Sequence, residues 1–282
     1  MKIRKPCVAD VFYAGTKAEL TSQITECFTH RFGPGSVPRP KLHGPRKIVG
    51  IVSPHAGYMY SGPVAANGYS RLAADGLPDA FVILGPNHTG QGSGLSIQTE
   101  GAWETPMGLA MIDSDLAKKI QKASGLIDID DRAHTTEHSI EVQLPFVQFM
   151  FKDAKFVPVC MMIQDLKTSR EMARTIVEQT KEKDVVIIAS SDFTHYEPQE
   201  AATKKDKKAI DAILKLDDEA LNELGENNRV TLCGYGPITT LVAAARILGN
   251  VKAELLAYRT SGDITGDKSA VVGYSSLVFF RE

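Results

Sequence analysis

Apolar residues run without a break at Ile48-Val49-Gly50-Ile51-Val52, at Ala80-Phe81-Val82-Ile83-Leu84 and at Val185-Val186-Ile187-Ile188-Ala189. A short apolar run bounded by turn residues reads as a buried strand. Each run stops at a loop that carries a histidine: Ser53-Pro54-His55, Gly85-Pro86-Asn87-His88, and Ser190-Ser191-Asp192-Phe193-Thr194-His195. A further apolar run spans Lys155 to Ile163, and two late strands are predicted over Glu254 to Arg259 and Ala270 to Phe280.

Helical spacing fills the intervals. Leu20, Ile24, Cys27 and Phe28 share one face over Thr16 to Phe32. Helices are also predicted from Pro63, taken as a first-turn proline, to Ala74, and over Asp113–Ala123, Leu166–Glu182, Ala201–Leu214, Asp217–Gly225 and Ile238–Leu248. Ile140, Leu144, Val147 and Phe151 fit one helical face, with Thr135 or Thr136 as its N-cap and Glu137 and His138 in its first turn. Gly33 to Arg46, Trp103 to Gly108 and Thr260 to Lys268 read as loops. Strands alternating with helices predict a single α/β domain over residues 1–282, with a mostly parallel central sheet flanked by helices. Ligands bind beyond the carboxyl ends of the strands in such sheets, so three strand-tip histidines converge on one candidate site.

Composition narrows the class. The chain has 282 residues, is 43% hydrophobic and carries a formal net charge of −2. Such a balance does not favour nucleic acid. No apolar run reaches the roughly 18 residues that span a bilayer, and the segment from Met1 to Tyr13 has no apolar signal core. The expectation is a soluble cytoplasmic protein. Cys7, Cys27, Cys160 and Cys233 form no CxxC pair, which argues against a structural zinc site or a disulfide scaffold. The glycine-rich loop Thr89 to Gly94 lacks the GxxxxGK[ST] pattern of a P-loop.

The candidate chemistry lies in the loops. Two imidazoles and one anionic ligand form the facial set used by non-haem iron. His55 and His88 supply the imidazoles, and Cys233, in a glycine-bounded turn before a helix, supplies a thiolate that a helix N-terminus favours. Asp192 and His195 share one loop and are candidates for ligand orientation and general acid–base work. Tyr58, Asn87, Glu137 and His138 are candidates for the pocket wall or for contacts that support the ligands.

In this order, PHAGY with a following SG, LGPNH, EHSIEVQLPF, SSDFTHY, CGYGP and SGDITGD resemble the Memo family, whose archaeal and bacterial members are called AmmeMemoRadiSam system protein B. The resemblance runs from RKPCVADVFYAG to VVGYSSLVFF, with Asp10 where the family has glycine. It implies a fold similar to the class III extradiol ring-cleavage dioxygenases. Those enzymes bind Fe(II) through two histidines and a carboxylate; His55 and His88 match the imidazoles, Cys233 falls at the carboxylate, and His195 matches the acid–base histidine. The resemblance implies a metal-capable pocket for Fe(II), with copper or zinc as competitors, and an unidentified small molecule or peptide as ligand. Animal members are associated with signalling partners and iron or copper handling, and the family name implies a radical-SAM-type partner protein. Three function classes follow: a metal-dependent oxidoreductase, a non-catalytic metal- or peptide-binding protein, and a hydrolase with Cys233 as nucleophile and His195 as base.

Overall fold

The structure, a computed structural model, describes residues Met1–Glu282. Its strands are β1 (Ile3–Arg4), β2 (Ile48–Ser53), β3 (Ala80–Pro86), β4 (Leu95–Ile97), β5 (Ala102–Thr105), β6 (Gly108–Ile112), β7 (Asp128–Ile129), β8 (Lys155–Met161), β9 (Val185–Ser190), β10 (His195–Glu197), β11 (Val251–Thr260) and β12 (Val271–Arg281). Its helices are α1 (Lys17–Thr29), α2 (Tyr58–Asp75), α3 (Ser114–Ala123), α4 (Arg132–Thr135), α5 (Leu144–Met150), α6 (Leu166–Gln179), α7 (Gln199–Leu214), α8 (Asp218–Glu226), α9 (Tyr235–Leu248) and α10 (Ser261–Thr265).

The strands form one mixed sheet in the order β1-β5-β6-β8-β3-β9-β2-β12-β10, with β11 paired to β12 and β4 to β8. From β6 through β8, β3 and β9 to β2 every neighbour is parallel. Antiparallel pairs flank this centre, β5 on β6 at one side and β12 on β2 at the other. Every residue of β2 and β3 is buried, which is what parallel strands covered on both faces require. Adjacent residues of β2 show the two layers. A side chain at Gly50 would run into Leu241 of α9, whereas Ile51 packs against Gly68 of α2. The two helices therefore cover opposite faces, and both glycines bring helix and strand close together. One core of 68 buried hydrophobic residues fills the layers, so the chain is a single α/β domain as its pattern predicts. No helix is long and apolar enough to cross a membrane.

Several elements differ from the sequence reading. The helix expected from Pro63 begins at Tyr58, and Pro63 lies inside it; Gly57 acts as N-cap, and its carbonyl accepts from the amides of Tyr60 and Ser61. Trp103 to Gly108 is a hairpin, not a loop: β5 pairs with β6 across Pro106-Met107, and Trp103 is buried. A two-residue connection with a proline hides such short strands in the sequence. Neither Thr135 nor Thr136 caps the N-terminus of a helix; Thr136 is the C-cap of α4. α4 ends there, and Glu137 and His138 occupy the turn before the 3₁₀ segment Glu141–Gln143 and α5. Thr260 to Lys268 contains α10, closed by a capping box between Thr260 and Asp263; Thr-x-x-Asp was its visible signal. Asp10 takes a left-handed conformation with φ of 63°, a region that Asp tolerates better than most residues.

Candidate metal centre

β3, β9 and β2 are adjacent and parallel, so their carboxyl ends share one sheet edge. His55, His88 and Asp192 each stand two residues beyond the end of their strand. His195 follows on the same loop as Asp192 and opens β10. Cys233 arrives from the other direction, immediately before Gly234, the N-cap of α9. A Cβ at Gly234 would lie 2.3 Å from the Ser190 carbonyl, so only glycine lets the Cys233 turn close against the end of β9.

The ligand atoms of His55, His88 and Cys233 all lie within 4.8 Å of one another. Nε2 of His55 is 3.2 Å from Sγ of Cys233, and the Asp192 amide donates to the same sulfur at 3.2 Å. Metal–nitrogen bonds of about 2.0–2.1 Å and metal–sulfur bonds of about 2.3 Å place two ligands of one ion at roughly this separation. The donor set therefore fits a transition-metal ion.

Hydrogen bonds fix which nitrogen each imidazole offers. Nδ1 of His88 is 2.9 Å from Oε1 of Glu137, a carboxylate that only accepts, so Nδ1 carries the proton. The Ser190 hydroxyl donates to the Ser139 carbonyl at 2.7 Å, which uses its only hydrogen. Nδ1 of His55, 2.8 Å from Ser190 Oγ, must then be the donor. Gln143 also donates to Ser190 Oγ, and its orientation is fixed by the Pro54 carbonyl and the Tyr69 hydroxyl. In neutral imidazoles both Nε2 atoms are left with free lone pairs, as ligands require. His195 is held likewise: its Nδ1 donates to the Thr231 carbonyl at 3.1 Å and its amide to Thr231 Oγ1 at 2.8 Å.

His138 adds a fourth imidazole. Its ring stacks on His88 with centroids 4.6 Å apart and meets His55 and Phe12 edge-on. His88, Glu137 and His138 also cluster at ligand spacing. The Glu137 carboxylate is nevertheless committed, since it accepts from Nδ1 and the amide of His88 and from the Ser139 amide. This cluster supports the first ligand set.

Burial dominates the electrostatics. It lowers the pKa of His55, with the neighbouring imidazoles adding to the effect, and lowers His138 to about 4. Burial would raise Glu137, but the His88 hydrogen bond and the charges of His88 and His138 outweigh it and hold Glu137 at about 2. Asp192 is pushed up to about 6 by burial, against the pull of the His55 amide and of His195. Cys233 departs from expectation. Burial, reinforced by the Asp192 carboxylate, raises its thiol pKa and outweighs the hydrogen bonds that favour a thiolate. Without a cation the helix start does not ionise it.

The Memo-like family model matches residues 4–278. The chain belongs to the Memo-like family. It is 48% identical to a MEMO1 family protein of Methanopyrus kandleri, over 99% of each chain. It is 47% identical to one of Methanothermobacter thermautotrophicus, over 98% of this chain and 99% of the relative. Among solved structures it resembles an uncharacterized protein of Escherichia coli K12, with a TM-score of 0.56, 14% identity, and coverage of 82% of this chain and all of the other. That likeness is one of fold.

In this Memo-like protein, two sequence candidates lie outside the cluster. Tyr58 is buried in the core, where its hydroxyl donates to the Val142 carbonyl and its ring packs on Phe146. Asn87 shapes its own loop by accepting from Thr89 and Gly90 and donating to the Gln91 carbonyl. Sequence reasoning did not single out Ser139, Gln143, Ser190 or Thr231. Ser139 and Gln143 lie within EHSIEVQLPF, but nothing in their spacing shows that they face β2 and β9.

Proposed function

We propose that this Memo-like protein holds one transition-metal ion on His55, His88 and Cys233, iron in preference to copper or zinc, and uses the site in oxidoreductive chemistry on a small organic molecule. The carrying observation is the convergence of two imidazoles and a thiol within 4.8 Å, with both imidazole Nδ1 atoms bound to protein acceptors. Two imidazoles and an anionic ligand suit iron with positions left open. The ion, when bound, supplies redox or Lewis-acid chemistry to a ligand beside it.

The protein's own groups do the rest. Cys233 gives up its proton on loading. His195, with Nδ1–H tied to the Thr231 carbonyl, presents Nε2 to take a proton from the ligand. Asp192, buried and titrating at about 6, orients the ligand. Phe12 and His138, packed edge to face, line one side of the site, with His138 against both His88 and His55.

Metal binding without turnover is the second reading, and the thiol in place of a carboxylate favours it because thiolate shifts metal preference toward softer ions. The hydrolase reading has less support. The imidazole beside the thiol is that of His55, and burial disfavours the ionised form of both groups. Protein purified without oxygen, analysed for iron, copper and zinc and then screened for redox turnover of small molecules, tests the proposal. Failure to bind any of the three ions overturns it; binding without turnover leaves the second reading.

A further inference from the structure

Ser139 touches both halves of the ligand set without contacting either ring. Its amide donates to Oε1 of Glu137 at 2.8 Å, the oxygen that holds Nδ1 of His88. Its carbonyl accepts from Ser190 Oγ at 2.7 Å, the hydroxyl that holds Nδ1 of His55. Its own hydroxyl donates to the Pro86 carbonyl at 2.9 Å, at the end of the strand leading to His88. A continuous chain thus runs His88–Glu137–Ser139–Ser190–His55. Glu137, Ser139 and Ser190 are buried, at 1%, 0% and 0% exposure, so no bulk water substitutes for a lost partner. Gly85 leaves the room that Ser139 needs: a Cβ there would lie 2.4 Å from Ser139 Oγ and 2.8 Å from Ile140 Cγ1.

We infer that Ser139 is a positioning residue that sets the tautomer of His55 and the orientation of His88 together, so that the two histidines respond as a pair. The Ser190 hydroxyl has one hydrogen. While the Ser139 carbonyl takes it, His55 must donate from Nδ1 and keeps its lone pair on Nε2. If that carbonyl withdraws, the hydroxyl turns to donate to Nδ1, the imidazole proton moves to Nε2, and the lone pair facing Cys233 is lost. On the other arm, withdrawal of the Ser139 amide removes one of the donors that fix Glu137, and the carboxylate is freed to leave Nδ1 of His88. The tautomer argument stands on the protein alone; only its consequence for affinity rests on the proposed metal site.

The test reads the imidazole nitrogens of the metal-free protein by ¹⁵N NMR in wild type, Gly85→Ala, Ser190→Ala and Glu137→Gln, with circular dichroism as the check on folding. Gly85→Ala, which pushes Ser139 out, is expected to move His55 toward the Nε2–H tautomer and to shift His88, with His195 unchanged. Glu137→Gln is expected to reach His55, and Ser190→Ala to reach His88. Metal affinity of Gly85→Ala should fall about 10- to 100-fold, the usual effect of disturbing the groups behind a ligand. A folded Gly85→Ala protein in which both rings keep wild-type signals overturns the inference. So does a pair of arm variants in which each change stays on its own histidine, which decides the matter if Gly85→Ala does not fold. A protein that shows the transmission but binds no iron, copper or zinc refutes the metal reading alone.

Discussion

Nε2 of His55 and Sγ of Cys233 lie 3.2 Å apart although 178 positions separate them in the chain. Nδ1 of His55 donates to Ser190, so Nε2 carries a lone pair and the thiol hydrogen of Cys233 lies between nitrogen and sulfur. In the proposed site a metal ion would replace that hydrogen. Because burial and the Asp192 carboxylate raise the thiol pKa, Cys233 is protonated across the neutral range and one proton leaves for each ion bound. The apparent metal affinity should therefore rise about tenfold per pH unit through that range. Competition titrations at several pH values measure the slope, and Cys233→Ser should remove most of it. A flat profile in wild type would place the thiol outside the ligand set.

His55→Ala and His88→Ala should each reduce bound metal to a minor fraction in protein purified without oxygen, because each removes a ligand whose lone pair the fold has already oriented. Glu137→Gln keeps an acceptor near His88 but removes its charge, and should weaken binding by about 10- to 100-fold without abolishing it. Metal analysis after equilibrium dialysis distinguishes the three. Full stoichiometry in both alanine variants would dismiss the assignment.

The parallel centre of the sheet was readable because its strands are buried on both faces, which leaves short, largely β-branched apolar runs such as Val82-Ile83-Leu84 that stop at Gly and Pro. The shared edge of His55, His88 and His195 followed from where those runs stop. What supports them was hidden, since it depends on strand order. Ser190 reaches His55 because β9 lies beside β2, and Gln143 reaches Ser190 because α5 and its 3₁₀ entry lie over the strand ends. No spacing in the sequence encodes either neighbour. Glu137 and His138 were misplaced in a helix because periodic apolar residues continued through Ile140 to Phe151, whereas the Glu137 carboxylate bonds across the site to the His88 amide.

Buried histidines make the metal-free protein acid-sensitive. Burial lowers His55, and lowers His134 and His138 to about 4, while the unfolded value is about 6.5. The unfolded state then binds more protons between those values, so stability is complete above about 6.5 and is lost as pH falls toward about 4, by at most about 1.4 kcal/mol per pH unit for each group. Asp192 opposes this. Burial raises its folded pKa to about 6, so the folded state gains stability as pH drops below that value, offsetting about one histidine. Urea midpoints should fall between pH 7 and pH 5. Both ring nitrogens of His134 lack a protein partner, so His134→Leu should reduce the slope without lowering the midpoint at pH 7. An unchanged slope in that variant would mean that His134 does not titrate with unfolding.

His195→Gln should leave metal affinity nearly unchanged and reduce any turnover. His195 comes from the loop after β9 and lies outside the ligand group of His55, His88 and Cys233. Its Nδ1 and its amide are both held by Thr231, two residues before Cys233 in the chain. That grip leaves Nε2 as the working atom and makes it an acceptor in the neutral ring, suited to removing a proton from a ligand. Glutamine keeps a side chain that bonds Thr231 but cannot take a proton near neutral pH. If His195 serves only to pin its loop, glutamine should lower thermal stability and leave turnover alone. If it removes bound metal, His195 is itself a ligand and the thiol is the bystander. Thr231→Val separates these outcomes further: it removes the hydroxyl that accepts from the His195 amide but keeps the carbonyl that orients the ring. Because the ring keeps its acceptor, the acid–base role predicts turnover and metal stoichiometry close to the wild-type values, whereas a purely loop-pinning role predicts lower thermal stability.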